Sequence, residues 1–239
     1  MADLRDITLA IKTFERPAAL ERLVASIRKY YPDVAIAIAD DSECAAICTT
    51  KTMHKYALPF DVGLSAGRNY LVDRIETPYT VMLDDDFVFT EQTDLERWLH
   101  AMKRDKYALI GGCCVRPDGR EQHYEGYMVD DRKRRALRLI RLVPTDLAPV
   151  HITLNFFIAQ TSILRAVRWD ERFKVGEHED FFWRLSRKFR VGYDPHVRIV
   201  HHRGERSKRY QQHRNKRAHN FQQEALAKHG WDRMYWVKL

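Results

Sequence analysis

The chain has 239 residues, of which 45% are hydrophobic and 11% aromatic. That content suffices for a sizeable core, and it excludes disordered, collagen-like and disulfide-stapled miniprotein classes. Lys and Arg (41) outnumber Asp and Glu (33), for a formal net charge of +8, so we expect an acidic partner such as nucleic acid, a nucleotide, a phospholipid surface or an anionic glycan.

The first half of the chain alternates between strand and helix patterns. Short apolar runs predict strands, and apolar residues at helical spacing predict helices, the first of them starting at Pro17. A strand, a helix and a strand in succession form a βαβ unit with neighbouring parallel strands. The predicted strands are residues 7–11, 34–39, 79–83 and 108–115, and the predicted helices are residues 17–31, 67–75 and 93–102.

The second half of the chain is less regular. Residues 124–143 are basic and β-like, with Asp130 and Asp131 as the predicted turn of a hairpin. No repeat or clear linker is found, so a single domain is expected. The remaining predicted elements are a strand at residues 155–159, a helix at 177–188, extended structure at 191–200 and a last helix at 218–228, ended by Gly230.

Two predicted strands end in acidic clusters, Asp40–Asp41 and Asp84–Asp86. Ligands of open parallel sheets bind beyond the carboxyl ends of the strands, which is where both clusters lie. Adjacent carboxylates raise one another's pKa unless a cation joins them. Strand geometry sends Asp84 and Asp86 to one side, where their oxygens can hold Mg²⁺ or Mn²⁺. The alternative is a solvated acidic turn.

The segment between these clusters is compact and rich in glycine. Residues 63–69 end in Arg68 and Asn69 and lack the spacings of dinucleotide-binding and P-loop motifs. Such a loop still lets the backbone or Arg68 approach a nucleotide. Asp40 and Asp41 can accept hydrogen bonds from a base or ribose, although a turn or a helix cap explains them equally.

Carboxylates also open the predicted helix at residues 177–188. They complement the helix dipole without any catalytic role, but the following Phe181 and Phe182 offer a partly dry pocket in which Glu179 or Asp180 can act as a base. His201 and His202 end the last extended run. Such histidines are more often structural, yet an imidazole can complete a metal site begun by aspartates.

Taken in order, residues 11–17, 38–42, 63–69 and 83–89 resemble the motifs of inverting glycosyltransferases of the GT-A fold. They are most similar to the catalytic domain of ganglioside-type β-1,4-N-acetylgalactosaminyltransferases, and the resemblance extends to about residue 202. It implies an α/β fold with a Rossmann-like, mostly parallel sheet flanked by helices and a smaller mixed β region on the acceptor side.

The resemblance also implies how the expected single domain, residues 1–239, is divided. Residues 1–115 would bind the nucleotide, residues 116–202 would hold the acceptor and the catalytic groups, and residues 203–239 would form a basic lid and the last helix. The basic stretch 203–217 is equally well explained as a solvated charged segment.

The implied reaction is the metal-dependent transfer of a sugar from a UDP-sugar to a hydroxyl of a glycan or glycolipid. GalNAc is the favoured sugar, with GlcNAc and galactose as alternatives. Thr13, Glu15 and Arg16 would line the uridine pocket after the first strand. Asp40 would contact the uracil, and Arg68 would close the pocket. The nucleotide-binding residues implied by the resemblance are Thr13, Glu15, Arg16, Asp40, Asp41, Arg68, Asp84 and Asp85.

The implied metal ligands are Asp84, Asp86 and His202, for Mn²⁺ or Mg²⁺, with His201 as an alternative histidine. Asp180 matches the catalytic base, and Glu179 would position the acceptor or the donor sugar. The chain reads Gly-Glu-His-Glu-Asp where the family more often reads Gly-Glu-Asp, which leaves the base open between Glu179 and Asp180.

Charge and composition add expectations about partners. A basic strip of residues 132–135 with Arg138 and Arg141 would face an anionic acceptor or lipid headgroups. No apolar leader or spanning segment is evident, and the four cysteines match neither a zinc knuckle nor a disulfide framework. We therefore expect a cytoplasmic protein with peripheral contact at the inner membrane face, and no nucleic-acid partner.

Three rival functions fit parts of the sequence. The positive charge and the acidic cluster also suit a nucleic-acid-binding metal enzyme, whose affinity would depend steeply on salt. A nucleotidyltransferase shares a doubly wound sheet but needs no carboxylate on the acceptor side. A glycan-binding module without catalysis would bind the donor and not turn it over.

Overall fold

A computed structural model describes residues 3–202 and 208–237 of the chain. The strands are β1 (Ile7–Thr13), β2 (Ala35–Asp40), β3 (Cys48–Thr49), β4 (Met53–Ala57), β5 (Tyr79–Asp84), β6 (Phe87–Val88), β7 (Leu109–Val115), β8 (Glu121–Gln122), β9 (Gly126–Asp131), β10 (Ala136–Arg141), β11 (Ala148–Val150), β12 (Phe157–Gln160), β13 (Val191–His201) and β14 (Arg233–Val237). The helices are α1 (Pro17–Tyr30), α2 (Leu64–Arg74), α3 (Leu95–Asp105), α4 (Thr161–Val167), α5 (His178–Ser186) and α6 (Lys208–Lys228), with short 3-10 helices at Leu4–Asp6 and Arg132–Arg134.

The large sheet has the strand order β11-β13-β7-β12-β5-β1-β2-β4-β3, with β6 paired to β13 and β8 to β7. The pairs β1–β2, β1–β5, β2–β4 and β7–β13 are parallel, whereas β12 runs antiparallel between β5 and β7. The expected α/β class with a mostly parallel sheet is confirmed. Because β12 and β13 enter the sheet formed by β1, β2 and β5, the two predicted halves share one sheet.

Alternation along the central strands builds a core on each face of the large sheet. In β1, Leu9 and Ile11 pack with Leu23 of α1 and Trp98 of α3. Ala10, on the opposite face, packs with residues of α2, α4 and α5. Period-two side-chain placement therefore gives helices on both faces of this sheet.

A second sheet has the order β14-β10-β9, with β10 antiparallel to β9 and parallel to β14. This is the smaller mixed β region that was expected. The prediction that Asp130 and Asp131 form the hairpin turn was wrong, because both lie in β9. The Asp131 carboxylate instead accepts the Arg134 N–H at 3.2 Å and caps the 3-10 helix, and Arg135 takes a φ of 47°.

Several element bounds differ from the prediction. Helix α2 begins at Leu64 rather than residue 67, and α6 begins at Lys208 rather than residue 218. Strands β4 and β14 were not predicted, since neither is a long apolar run. Of the predicted basic lid, residues 203–207 lie outside the described residues, and 208–217 belong to α6.

Across the described ranges 3–202 and 208–237, no helix has the length and apolarity needed to cross a membrane.

Candidate active site

The carboxyl ends of β1, β2 and β5 meet at one edge of the large sheet. Thr13 pairs in register with Asp40 on one side, and Lys12 pairs with Asp84 on the other. Parallel pairing therefore brings the two acidic clusters, which are more than forty positions apart in sequence, to the same edge. We call this region the acidic edge: Thr13, Arg16, Asp40, Asp41 and Asp84–Asp86.

Arg16 bridges two carboxylates of the acidic edge. Its guanidinium pairs with Asp85 and donates to Asp86 Oδ2 at 2.8 Å, while Thr13 Oγ1 donates to Asp85 Oδ2 at 2.7 Å. Burial raises the pKa of Asp85 to about 6 and outweighs the nearby charge of Arg16. The ring of Tyr210 lies 4.4 Å from the Arg16 guanidinium carbon, so α6 packs over this pair.

Two successive histidines contact Asp86 in different ways. His201 Nε2 lies 3.3 Å from Asp86 Oδ1, whereas the His202 N–H donates to the Asp86 backbone oxygen at 2.9 Å and its side chain is exposed. Burial tends to raise the pKa of Asp86, but His201 and Arg16 hold it well below its usual range. The imidazole that reaches Asp86 is thus that of His201, because neighbouring strand residues point to opposite sides.

Arg68 is fully buried and contacts Asp84, the first aspartate of the run Asp84–Asp86. It pairs with Glu177 and donates to Asp84 Oδ1 at 3.1 Å, and its guanidinium carbon lies 5.7 Å from the Trp169 ring centroid. Arg68 therefore holds Asp84 in place from beneath. Glu177 was given no role from the sequence, although it opens the predicted helix at residues 177–188 directly after Gly176.

Asp41 points into the protein. It pairs with Lys12, and its Oδ2 accepts the Gly63 N–H at 2.9 Å. Burial lowers the pKa of Lys12, while Asp41 opposes that effect. A Cβ added to Gly67 would lie 2.3 Å from Lys12 carbons, so the glycine makes room for the buried lysine.

Asp40 borders an open cavity of about 160 Å³ beside the ends of β1 and β2. Its carboxylate lies 2.8 Å from Lys55 Nζ and accepts the Ser42 N–H at 3.0 Å. Burial opposes ionisation, yet these partners hold the pKa of Asp40 below its usual value. Glu15 has a φ of 53° and donates its N–H to Ser42 Oγ at 2.7 Å, which closes the cavity wall.

Asp180 is enclosed by three basic side chains. Its oxygens lie 2.7 Å from both His229 Nε2 and Lys228 Nζ, and Arg184 Nε donates at 2.9 Å. Burial alone would raise the pKa of Asp180, but these partners lower it to about 2. The carboxylate is 2% exposed and anchors the end of α6 to α5.

Glu179, the preceding residue, faces a different side of α5. Its carboxylate accepts a hydrogen bond from the hydroxyl of Tyr124. Burial, together with the charge of Glu179, raises the pKa of Tyr124 well above its ordinary value, so this hydroxyl stays protonated. None of the basic side chains that the structure describes contacts Glu179, so its carboxylate meets fewer cations than that of Asp180.

The basic strip on the second sheet is partly neutralised by aspartates. Arg132 donates to Asp130 at 3.2 Å, and Arg134 donates to Asp131 at 3.1 Å. Arg135 pairs with Asp232 at 2.8 Å. Three of the six basic residues of the strip, Arg132, Arg134 and Arg135, are therefore paired with aspartates.

Another acidic group able to hold a cation lies away from the acidic edge. Asp146, Asp194 and His196 bring their ligand atoms within 4.8 Å of one another. Arg97 already donates to Asp194 at 2.6 Å, so a cation is present there without any metal. The location, at the first half of β13 and before β11, separates this group from Asp84–Asp86.

Comparison with known proteins identifies the sequence family. The family described as Glycosyl transferase family 2 matches residues 8–163. Human β-1,4 N-acetylgalactosaminyltransferase 1 is 33% identical over 205 residues, which cover 82% of this chain and 38% of that protein. Mouse β-1,4 N-acetylgalactosaminyltransferase 2 is 32% identical over 200 residues, covering 82% and 39%. The chain thus spans less than half the length of these relatives.

The fold comparison agrees. The crystal structure of TarS from S. aureus has a TM-score of 0.58 and 14% identity, covering 81% of this chain and 59% of TarS. The same values hold for its structure in complex with UDP. The expected GT-A fold and the resemblance to β-1,4-N-acetylgalactosaminyltransferases are therefore confirmed. The chain belongs to glycosyl transferase family 2.

Proposed function

We propose that the chain catalyses metal-dependent, inverting transfer of a sugar, GalNAc being favoured, from a UDP-sugar to a hydroxyl of a glycan or glycolipid. The observation that carries this proposal is an excess of negative charge at the acidic edge. Among the side chains that the structure describes, four carboxylates, those of Asp84–Asp86 and the adjoining Glu177, meet the guanidinium groups of Arg16 and Arg68 and the imidazole of His201. A divalent cation supplies the missing charge.

The proposed ligands are Asp84, Asp86 and His201, with His202 as the residue expected from the resemblance. Asp84 is 26% exposed at its side chain, and carboxylate oxygens with one imidazole suit Mn²⁺ or Mg²⁺. When bound, such an ion neutralises charge on the leaving diphosphate. Arg16, already directed at this edge, adds a second positive charge for the phosphates.

The uridine part of the donor is proposed to bind in the cavity beside Asp40. That cavity is lined by Thr13, Glu15, Asp40 and Lys55: the carboxylates can accept from the uracil imide N–H and the ribose hydroxyls, and Lys55 can donate to a uracil oxygen. Support also comes from TarS, a protein of similar fold whose structure has been solved in complex with UDP.

We assign the catalytic base to Glu179 rather than Asp180. A base must accept a proton, and the pKa of Asp180 is lowered to about 2 by His229, Arg184 and Lys228 acting against burial. Among the described side chains, the donor to Glu179 is the neutral hydroxyl of Tyr124, which orients the carboxylate and does not compete as a cation. Glu179 would take the acceptor proton as the hydroxyl attacks the anomeric carbon and UDP departs, inverting that carbon.

Calorimetry with UDP, in the presence and absence of Mn²⁺, tests the proposed function. We expect binding that strengthens with Mn²⁺, and we expect Asp86→Asn to abolish the strengthening. Asp73→Asn, which alters an exposed aspartate near the end of α2 that pairs with Arg168, is the matched control. Absence of UDP heat under both conditions would refute the proposal, and steeply salt-dependent nucleic-acid binding would favour a nucleic-acid enzyme.

Donor hydrolysis measured across UDP-GalNAc, UDP-GlcNAc and UDP-galactose identifies the sugar. The proposal expects UDP-GalNAc to be turned over fastest. Peripheral contact with the inner membrane face remains a prediction from the basic charge, and co-sedimentation with anionic vesicles tests it.

A further inference from the structure

Both ring nitrogens of His201, the proposed metal ligand, have polar neighbours. Nε2 lies 3.3 Å from Asp86 Oδ1, and Nδ1 lies 3.2 Å from Gln122 Oε1. The ring of Phe87 meets the imidazole edge-on, with centroids 5.2 Å apart and an interplanar angle of 81°. The imidazole that reaches Asp86 is therefore also held at its other nitrogen, by Gln122.

Gln122 is brought to His201 by the hairpin of β7 and β8. Strand β7 pairs with β8 on one side and with β13 on the other. The carboxylate of Glu121 lies 2.7 Å from Arg198 and ties β8 to β13. Because successive strand residues face opposite sides, this ion pair and the contact between Gln122 and His201 lie on opposite faces of the sheet. A change at Gln122 therefore leaves the ion pair in place.

The amide oxygen at Nδ1 determines which ring nitrogen is free to bind a metal. A neutral imidazole donates a proton from one nitrogen and offers a lone pair at the other. Because the Gln122 oxygen can only accept, it favours the form of His201 with the proton on Nδ1 and the lone pair on Nε2. Nε2 is the nitrogen that faces Asp86, so the amide directs the lone pair toward the carboxylate that would share the ion.

The space beside His201 offers its ring a second position. An open cavity of about 320 Å³ is lined by His201, His202 and the turn residues Arg116, Pro117 and Asp118. A histidine side chain has several staggered rotamers, and the cavity has room for an imidazole. The hydrogen bond to Gln122 opposes a rotation of the ring into this space and away from Asp86.

We propose that Gln122 is the positioning residue for the metal ligand His201. Its amide oxygen holds the proton on Nδ1 and keeps the ring in the orientation that presents Nε2 to an ion at Asp86. This inference rests on the proposed function, because it assumes a divalent cation at the acidic edge. It deepens that function by naming a residue outside the acidic edge on which metal affinity depends.

Electron paramagnetic resonance with Mn²⁺, alone and again with UDP, tests the proposal. Titration of free Mn²⁺ gives the affinity, and electron spin-echo modulation of a chain labelled with ¹⁵N-histidine shows whether a histidine nitrogen is bound to the ion. We expect a histidine signal from the wild-type chain that is lost in His201→Asn. Gln122→Leu should strongly reduce this signal and weaken Mn²⁺ binding about 10- to 100-fold, the usual effect of losing the partner of a ligating histidine.

Two further variants separate positioning from packing. Gln122→Glu keeps an acceptor oxygen for Nδ1, so it should keep the histidine signal and bind Mn²⁺ at least as tightly as the wild-type chain. Gln160→Leu is the matched control, since Gln160 is a partly buried glutamine at the other end of the large sheet, where its amide donates to the Tyr107 backbone oxygen. It should leave the signal and the affinity unchanged.

Four results overturn the proposal. They are an unchanged signal and affinity in Gln122→Leu, an equal loss in Gln160→Leu, a signal that persists in His201→Asn, and loss of the signal in Gln122→Glu as well as in Gln122→Leu. The last result would assign Gln122 a packing role, because the acceptor oxygen would then make no difference.

UDP calorimetry separates this inference from the proposed function. If the wild-type chain binds Mn²⁺ through a histidine that depends on Gln122 but binds no UDP, the transferase proposal fails and the positioning role stands. If UDP binding strengthens with Mn²⁺ while Gln122→Leu changes neither signal nor affinity, only the positioning role fails. A wild-type chain with no histidine nitrogen on Mn²⁺ overturns the positioning role, and UDP binding then decides the proposed function by itself.

Discussion

The acidic edge and the surroundings of Asp180 both pair buried carboxylates with cations, but the balance of charge differs. Among the described side chains, the four carboxylates of Asp84–Asp86 and Glu177, in and next to the acidic edge, share two guanidinium groups and the His201 imidazole. Around Asp180, one carboxylate meets Arg184, Lys228 and His229. The first arrangement leaves negative charge for a further cation, whereas the second leaves none.

This difference in charge balance distinguishes a candidate metal-binding site from a structural ion pair. A carboxylate that satisfies several basic groups is costly to disturb, because its removal leaves buried cations without a partner. A cluster with surplus carboxylates favours an added positive charge. Charge balance therefore distinguishes the two regions, although both appear in sequence as short acidic runs.

The largest effect on sugar transfer is expected from replacing each of the two neighbouring carboxylates of α5, one at a time, by its amide. Glu179→Gln should lower sugar transfer about 10²- to 10⁴-fold, the usual contribution of a positioned base, while UDP affinity stays unchanged. Asp180→Asn should retain most of its turnover per folded molecule. Initial-rate assays normalised to the folded fraction check this. The reverse ranking would return the base to Asp180 and remove the distinction drawn above.

For the free energy of unfolding, we expect the reverse order: Asp180 should matter more than Glu179. Asp180→Asn should lower the free energy of unfolding by about 3–5 kcal/mol, because three basic groups lose their partner. Urea denaturation at pH 7 measures it, with Glu179→Gln as the control that should change far less.

The stability lost in Asp180→Asn should depend on pH, and the direction follows from the lowered pKa of Asp180 in the folded protein. Because the pKa of Asp180 is lowered from 3.8 to about 2 by His229, Arg184 and Lys228 against burial, its ionisation stabilises the fold above pH 3.8. This contribution of about 2 kcal/mol disappears as the pH falls toward 2. The gap between wild type and Asp180→Asn should therefore narrow at acid pH. A gap that is constant from pH 7 to pH 3 would contradict the role of the charge.

A smaller effect is expected when a cation is removed from the acidic edge. Arg16→Gln should strengthen Mn²⁺ binding without UDP about fivefold or more, because a positive charge next to Asp85 and Asp86 no longer repels the ion. Electron paramagnetic resonance titration of free Mn²⁺ measures it. Lys29→Gln, at the exposed end of α1, is the control. Weaker binding in Arg16→Gln would show that Arg16 orders the carboxylates more than it competes with the ion.

The smallest effect is expected at the exposed pair of Arg135 and Asp232. Arg135→Gln should leave the urea midpoint unchanged within error, since exposed ion pairs contribute little. A large loss of stability would mean that this pair secures β14, and the contrast between exposed and buried charge would need revision.

Local sequence patterns predicted the central part of the fold. The apolar runs of β1, β2 and β5 and the acids that follow them were recognisable, and parallel pairing explains why Asp40 and Asp84 lie at one edge. The sequence did not show which of the two histidines reaches Asp86, because that depends on how the end of β13, whose last residue is His201, is placed beside Asp86.

Contacts between distant segments account for most of what the sequence left open. Arg184, four residues on, is the nearby partner of Asp180, but its partners at residues 228 and 229 lie almost fifty positions away, so the local sequence did not show that the carboxylate is fully paired. Lys12 and Glu177 were overlooked for the same reason, since each finds its partner in another element. Strand β14 pairs with β10 across about a hundred residues and has no long apolar run to reveal it.

The pairing of β14 with β10 also has a consequence for how the molecule is made. During synthesis the N-terminal segments emerge first, and β1, β2 and β5 can associate while the rest is still being translated. Strand β14 can pair with β10 only after residue 237 has left the ribosome, because contacts so distant in sequence form late. A nascent chain that is stalled before β14 would therefore contain the acidic edge but lack one strand of the second sheet.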